Sequence, residues 1–211
     1  MAGRRRVSVP RTQRHQAILE AACAEFARRG FERGNVNTIA EAVGVGKGTL
    51  YNYFKSKEDL FLRSVEYAAG QVIAHLKMHV PRTAPAPERM REFVLADLSF
   101  MDEHRDEYML MAAMFYGANF LYGTDGTYTR VAMAAYREFF AMIEDICRAW
   151  IGEEAVTARG GQVLAFQVLA LIEAANLYAE ADEGAAIDRR RDVDRIMEML
   201  TRGLGAVEEV S

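Results

Sequence analysis

At 211 residues the chain has room for one large or two small domains, each with a hydrophobic core. Apolar residues make up 51% of it, yet no run approaches the ~20 of a membrane span, the start MAGRRRVSVP lacks the apolar segment of a secretory signal, and two cysteines are too few for a disulfide framework. The net charge of −4 hides an asymmetry: residues 1–63 carry 12 Lys and Arg against 6 Asp and Glu, whereas residues 64–211 carry 14 against 24, so only the N-terminal part has a field suited to a polyanion.

Residues 1–11, with Arg4, Arg5 and Arg6 and no periodicity, read as a flexible basic arm, either one that tracks phosphates or enters a minor groove or simply a solvated tail. Thr12 is expected to cap a first helix, in which Ile18, Ala22 and Phe26 repeat at i+4. Arg28 and Arg29 suit its C-terminal dipole, and Gly30 closes it. A short second helix follows, capped by Asn35, with Val36, Ile39, Ala40 and Val43 on its apolar face. Gly44 and Gly46 break it at a tight turn. The third helix, about 47–54, turns Leu50 and Phe54 inward and Gly48, Thr49 and Asn52 outward, with Tyr51 and Tyr53 on its flanks. Ser56-Lys57-Glu58-Asp59 fits a capping box and starts a helix expected to reach His79, burying Leu60, Phe61 and Val65. Helix, glycine turn and short helix make a helix-turn-helix, whose outward face of one cation, hydroxyls, an amide and aromatics fits a major groove.

The stretch IAEAVGVGKGTLYNYFKSKEDLF resembles the DNA-binding signature of the TetR (tetracycline-repressor) family of bacterial transcriptional regulators, and the detailed match covers about residues 12–62. Two positions depart from the usual form: Asn35, where the family commonly has Ser or Thr, and Gly46, often Ser there. Asn35 is an equivalent cap, whereas Gly46 leaves a phosphate contact to the backbone or to Lys47. The resemblance implies that Lys47, Thr49, Tyr53 and Lys57 contact phosphates, that Gly48 admits close approach, and that Tyr51 and Asn52 read base edges.

Beyond the connecting helix (57–80) the segment VPRTAPAPE, with three of the four prolines, opens a second domain, 81–211. The helix-turn-helix domain proper is 12–56. A helix at about 88–103 carries Met90, Phe93, Val94, Leu98 and Met101 on one face, with Asp97 inside that sector. A helix at about 105–121 is apolar nearly all round, YGTDG (122–126) is a turn, and a helix at about 127–151 has a stripe including Tyr136, Phe139, Ile143, Ile146 and Trp150. The helix at about 156–181 is apolar on two sides, one of Phe166, Leu169, Ala170 and Leu177, the other of Leu164, Val168, Leu171 and Ala175. A last helix, about 188–207, adds Val193, Ile196, Met197, Leu200 and Leu204.

These elements predict an all-α chain of about nine helices, a three-helix DNA-binding domain followed by a ligand-binding and dimerisation domain. Two apolar sides on one helix suggest a second copy, and in the family the last two helices form a four-helix dimer bundle. That places Phe166, Leu169, Ala170, Leu177, Ile196 and Leu200 at the expected interface. Isolated polar groups among Met and aromatic residues suggest a pocket for a hydrophobic or aromatic effector, drawn from Asp97, Met101, Met111, Phe115, Asn119, Tyr136, Phe139, Trp150, Glu173 and Asn176. Cys23 and Cys147 read as small core residues in a reduced cytoplasm. His75 and His79, at i, i+4, lack an evident third ligand, so neither a metal nor another cofactor is expected. No catalytic motif stands out, His104 beside Asp102 and Glu103 included. The expected function is that of a ligand-released dimeric repressor at a palindromic operator. The alternative is an architectural or constitutive DNA-binding protein without an effector.

Overall fold

The computed structural model describes residues 10–116, 127–181 and 188–205, all helical or in short connections, with no strand among them. Ten helices are described: α1 (Arg11–Arg33), α2 (Val36–Ala42), α3 (Lys47–Tyr51), α4 (Lys57–His79), α5 (Ala86–Glu103), α6 (Arg105–Tyr116), α7 (Thr127–Ile151), α8 (Glu153–Arg159), α9 (Gly161–Ala181) and α10 (Arg189–Gly205). Residues 1–9 of the basic arm, the YGTDG turn, Asn119 and the side chain of Phe115 lie outside the described residues. The chain forms two compact units, one of residues up to Ala69 with Asp106–Ala132, the other of Gly70–Arg105 with Met133 onward. The expected division at residue 80 therefore differs from the compact units, since α4 contributes to both and the stretch from Asp106 clusters with the N-terminal helices.

In the first unit, Ile18, Ala22, Cys23 and Phe26 of α1 meet Ile39 and Ala40 of α2, Leu50 of α3, Phe54, and Leu60, Phe61 and Val65 of α4 in one buried core. Phe26 meets Phe61 edge-on at 5.1 Å between ring centroids, and Phe31 closes on Phe61 at the same distance. Such pairs add to the ~1.5–3 kcal/mol each ring gains by burial. Both cysteines are buried and unpaired with each other, and burial first, then nearby carboxylates, pushes the Cys23 thiol far above its ordinary range.

In the second unit α5 packs on α9 and α10, and α9 on α8 and α10. Met90, Phe93, Val94 and Leu98 are buried, as are Phe139, Ile143, Leu164, Val168, Ile172, Ile196 and Leu200, and Phe93 meets Phe139 edge-on at 5.1 Å. Rim ion pairs join Arg91 to Asp194 and Arg89 to Asp145, each at 2.6 Å. α9 is apolar enough over Gly161–Tyr178 to cross a membrane by composition, with mean hydropathy 1.2, which the sequence reading missed. Its buried face, however, holds Glu173 and Asn176.

Several element boundaries differ from expectation. Thr12 does not cap α1: Pro10 occupies the cap position and its carbonyl accepts from Arg14. α1 kinks at Gly30 (φ 71) and runs on to Arg33. α3 ends at Tyr51, because Asn52 and Tyr53 bond back to Thr49 and Leu50 in a tighter turn. The single helix expected at 156–181 is two helices. Gly160 sits at φ 77, a left-handed conformation costly for any residue with a Cβ, and it separates α8 from α9.

Candidate nucleic-acid interface

The helix-turn-helix is set by local bonds. Asn35 caps α2, its Oδ1 accepting from the Asn37 N–H at 2.9 Å. Gly44, at φ 68, turns the chain, and Val45 N–H reaches the Ala40 carbonyl at 2.9 Å. Gly46 is extended (φ −76), so it enters α3 as a cap without a side chain, and of the two turn glycines only Gly44 is left-handed. On the far side Ser56 Oγ accepts from Asp59 N–H at 3.0 Å, while Asp59 Oδ2 accepts from Lys55 N–H at 2.8 Å, fixing the start of α4.

Those constraints point one face of α3 outward. Leu50 is fully buried, while Lys47, Gly48, Tyr51 and Asn52 are exposed, with Tyr51 at 39%. Thr49 is half-buried. A Cβ added at Gly48 would meet nothing within 4 Å, so nothing described in the chain requires a glycine there. Two of the named residues also serve the fold. Tyr53 lies half-buried beside His15, with the Arg11 guanidinium 5.5 Å over its ring. Lys57 donates to the Glu32 carbonyl at 2.9 Å and stands 4.9 Å over the Phe31 ring, tying α4 to the end of α1.

Sequence reasoning overlooked Glu25. It is 2% exposed, and its Oε1 accepts the Asn35 N–H at 3.0 Å while Oε2 accepts from Arg28 at 2.8 Å, with Arg29 3.5 Å away. Burial alone would raise its pKa. The hydrogen bonds from Asn35 and Arg28 and the charges of Arg29 and Arg28 outweigh that, holding the carboxyl below the ordinary 4.5. One buried carboxylate thus joins α1 to the start of α2.

The second unit holds a buried polar cluster. Asp97 on α5, Glu173 and Asn176 on α9 are all buried. Burial, then the neighbouring Glu173, pushes the Asp97 carboxyl up to about 8, against the pull of Arg189. Arg189 itself pairs with Asp102 at 2.5 Å and approaches the Met101 sulfur at 3.8 Å. Of the other expected pocket residues, Tyr136 and Phe139 are buried in an aromatic group with Phe93 and Phe140, Trp150 is half-buried, and Met111 is buried in the first unit. Because Asp97 holds its proton when folded, its contribution to stability is fully present below its unfolded value of 3.8 and is lost as pH rises toward 8. Asp97→Asn is expected to flatten that fall, by on the order of 2–4 kcal/mol between pH 5 and 8 in urea melts. Parallel curves for the two proteins would contradict it.

The expected interface residues divide. Leu169, Ile196 and Leu200 are buried by the chain's own side chains, a correction to their expected place on the exposed face. Phe166 is half-buried, 4.6 Å from Phe140. Ala170 and Leu177 are exposed, and Leu177 (62%) joins Tyr178 (65%), Val163 (54%) and Met199 (58%). Between α9 and α10 lies an open groove of about 640 Å³ lined by Val163, Ala170, Leu171, Met199 and Leu204.

Residues 18–63 match the model of the bacterial regulatory proteins of the tetR family. A fatty acid metabolism regulator protein of Bacillus subtilis is 32% identical over 77 residues, 36% of this chain and 40% of that protein. The chain spans less than half the length of the curated relatives it matches first. In fold it resembles a TetR-like transcriptional regulator from Rhodococcus (TM-score 0.73, 21% identity, 94% of this chain and 99% of that one). It also resembles the regulator FadR of Bacillus subtilis in complex with stearoyl-CoA (TM-score 0.70, 18% identity, 90% and 98%).

Proposed function

We propose that the chain, whose residues 18–63 match the tetR family model, is a dimeric transcriptional repressor of that family, released from a palindromic operator by a hydrophobic small molecule. The observation that carries the DNA-binding reading is the outward face of α3, where Lys47, Gly48, Tyr51 and Asn52 are exposed above a buried Leu50. Lys47 and Thr49 hold phosphates, the bare backbone at Gly48 lets the duplex approach, and Tyr51 and Asn52 meet base edges. Asn35 and Gly46 shape the entry to the two helices, and Tyr53 and Lys57 add phosphate contacts from positions that also brace the domain. No catalysis is involved. The protein acts in the cytoplasm, where its DNA is.

A palindrome is read by two heads, and the uncovered apolar face of α9 and α10 supplies the means of pairing them. Leu177→Glu would place a charge in that face without disturbing the chain's own core, because Leu177 is exposed. The expected result is a folded monomer in sedimentation, with operator affinity down on the order of 100-fold as the second head is lost. A variant that stays dimeric would place the interface elsewhere.

The effector reading rests on Asp97, Glu173 and Asn176 set among apolar side chains of α5 and α9. Met101, Tyr136, Phe139 and Trp150 supply the apolar residues of the proposed set on α5 and α7, all in the same unit. The ligand class is long and apolar, and an acyl-CoA is the first compound to test, given the stearoyl-CoA bound by the FadR of similar fold. Binding shifts DNA affinity through α4, which starts directly after the helix-turn-helix, by a coupling typically worth about 1–3 kcal/mol. Gel shifts on the upstream intergenic DNA, with and without acyl-CoAs of graded length, test both halves of the proposal: a retarded band establishes DNA binding, and its loss at one chain length the effector class. A band unchanged by any acyl-CoA would reject that class while leaving the repressor reading intact.

A further inference from the structure

Three of the chain's four histidines meet at one corner of the second unit. His75 and His79 lie on the last turns of α4, and His104 caps the C-terminus of α5 beside Glu103. The i, i+4 pair was visible in the sequence; its missing partners were not, because they come from a separate helix. Ligand atoms of His75, Glu103 and His104 all lie within 4.8 Å of one another. Three ligands about 2.0–2.2 Å from a tetrahedral zinc-like ion stand roughly 3.3 Å apart, so the observed spacing needs side-chain adjustments on the order of 1 Å.

The rings are held as ligand rings usually are. His75 is buried, with Nε2 3.2 Å from Ser99 Oγ, and Ser99 in turn donates to the Ala96 carbonyl at 3.0 Å. His104 stacks on the fully buried Phe100 at 4.7 Å, and Phe100 meets His75 edge-on at 5.5 Å. His79, 4.2 Å from the His75 ring, donates from Nδ1 to the His75 carbonyl at 2.8 Å, which leaves its Nε2 lone pair open. Such outer hydrogen bonds fix tautomer and orientation in metal sites.

We propose that His75, Glu103 and His104 form a binding site for a divalent transition cation of the zinc, cobalt and nickel class, with a fourth position open toward His79 or water. Two imidazoles and one carboxylate suit such an ion and leave a hard cation such as magnesium poorly served. The site joins the end of α4 to the end of α5, independently of the DNA and effector readings.

The test uses the full chain, free of any affinity tag, titrated with Co²⁺ and followed by the visible absorption of a tetrahedral cobalt centre. One equivalent is expected to bind, to be displaced by Zn²⁺, and to raise the melting temperature in a manner reversed by a chelator. His104→Ala and Glu103→Gln are each expected to weaken Co²⁺ binding about 10–100-fold. Glu103 is exposed, so its variant keeps the fold even where His104→Ala does not. No cobalt spectrum in the wild type, or unchanged affinity in Glu103→Gln, would overturn the assignment.

Discussion

A Lys47→Ala/Tyr51→Ala double variant is expected to give no retarded band on the upstream intergenic DNA, while sedimenting as a folded dimer with wild-type helicity. Both side chains are exposed on α3, so their removal leaves the buried Leu50 and the rest of the core untouched. In a dimer each truncation acts twice. Loss of a base contact costs about 1–3 kcal/mol, and loss of a lysine–phosphate contact lowers the salt slope by about one per head. Together they take binding down by on the order of 10³-fold or more, into the range of non-specific association. The single Lys47→Ala variant separates the two effects: weaker binding to every sequence, with the operator preference retained. A double variant that still shifts the operator would remove α3 from the interface.

Glu25→Ala is expected to destabilise the protein by about 2–3 kcal/mol in urea melts, a large cost for a residue that never meets DNA. The change leaves the Asn35 N–H without its 3.0 Å acceptor and deprives Arg28 of its partner. Arg28 and Arg29 are more than half exposed and return to water cheaply, so the cost resides mainly in the backbone donor at the entrance to α2. Glu25→Gln, which keeps an acceptor but loses the charge, should fall between. The sign of the pH dependence follows from the lowered pKa: the charged form adds stability above about the unfolded value of 4.5, and that stability is lost as pH falls through the folded value. Wild type and Glu25→Gln should therefore converge in acid. Operator affinity of Glu25→Ala is expected to drop as well, because α2 and α3 lose the tie that fixes their place on α1.

Three features that depend on neighbours a few residues apart were legible in the sequence. Asn35, Gly44 and Ser56 act through bonds within five residues of themselves, and each sits where its chemistry indicated. The buried faces of α1, α2, α5 and α10 followed from their apolar spacing. Glu25 was hidden because a carboxylate in an amphipathic helix ordinarily faces water; only the arrival of the Asn35 backbone ten residues later makes it a core residue. Tyr53 and Lys57 likewise fold back onto partners on α1 that no short window contains. The break at Gly160–Gly161 had a signal, the glycine pair itself, overridden by continuous apolarity on either side. That same apolarity concealed which side of α9 is covered, since a helix apolar all round has no preferred face until α5 and α10 pack against it.

Protection of the upstream intergenic DNA from DNase I by the purified protein tests the central claim most directly. The account predicts one protected inverted repeat, centred on a dyad, that survives physiological salt and is lost in the Lys47→Ala/Tyr51→Ala variant. Protection spread along the whole fragment and vanishing steeply with salt, or no protection at all, would contradict it.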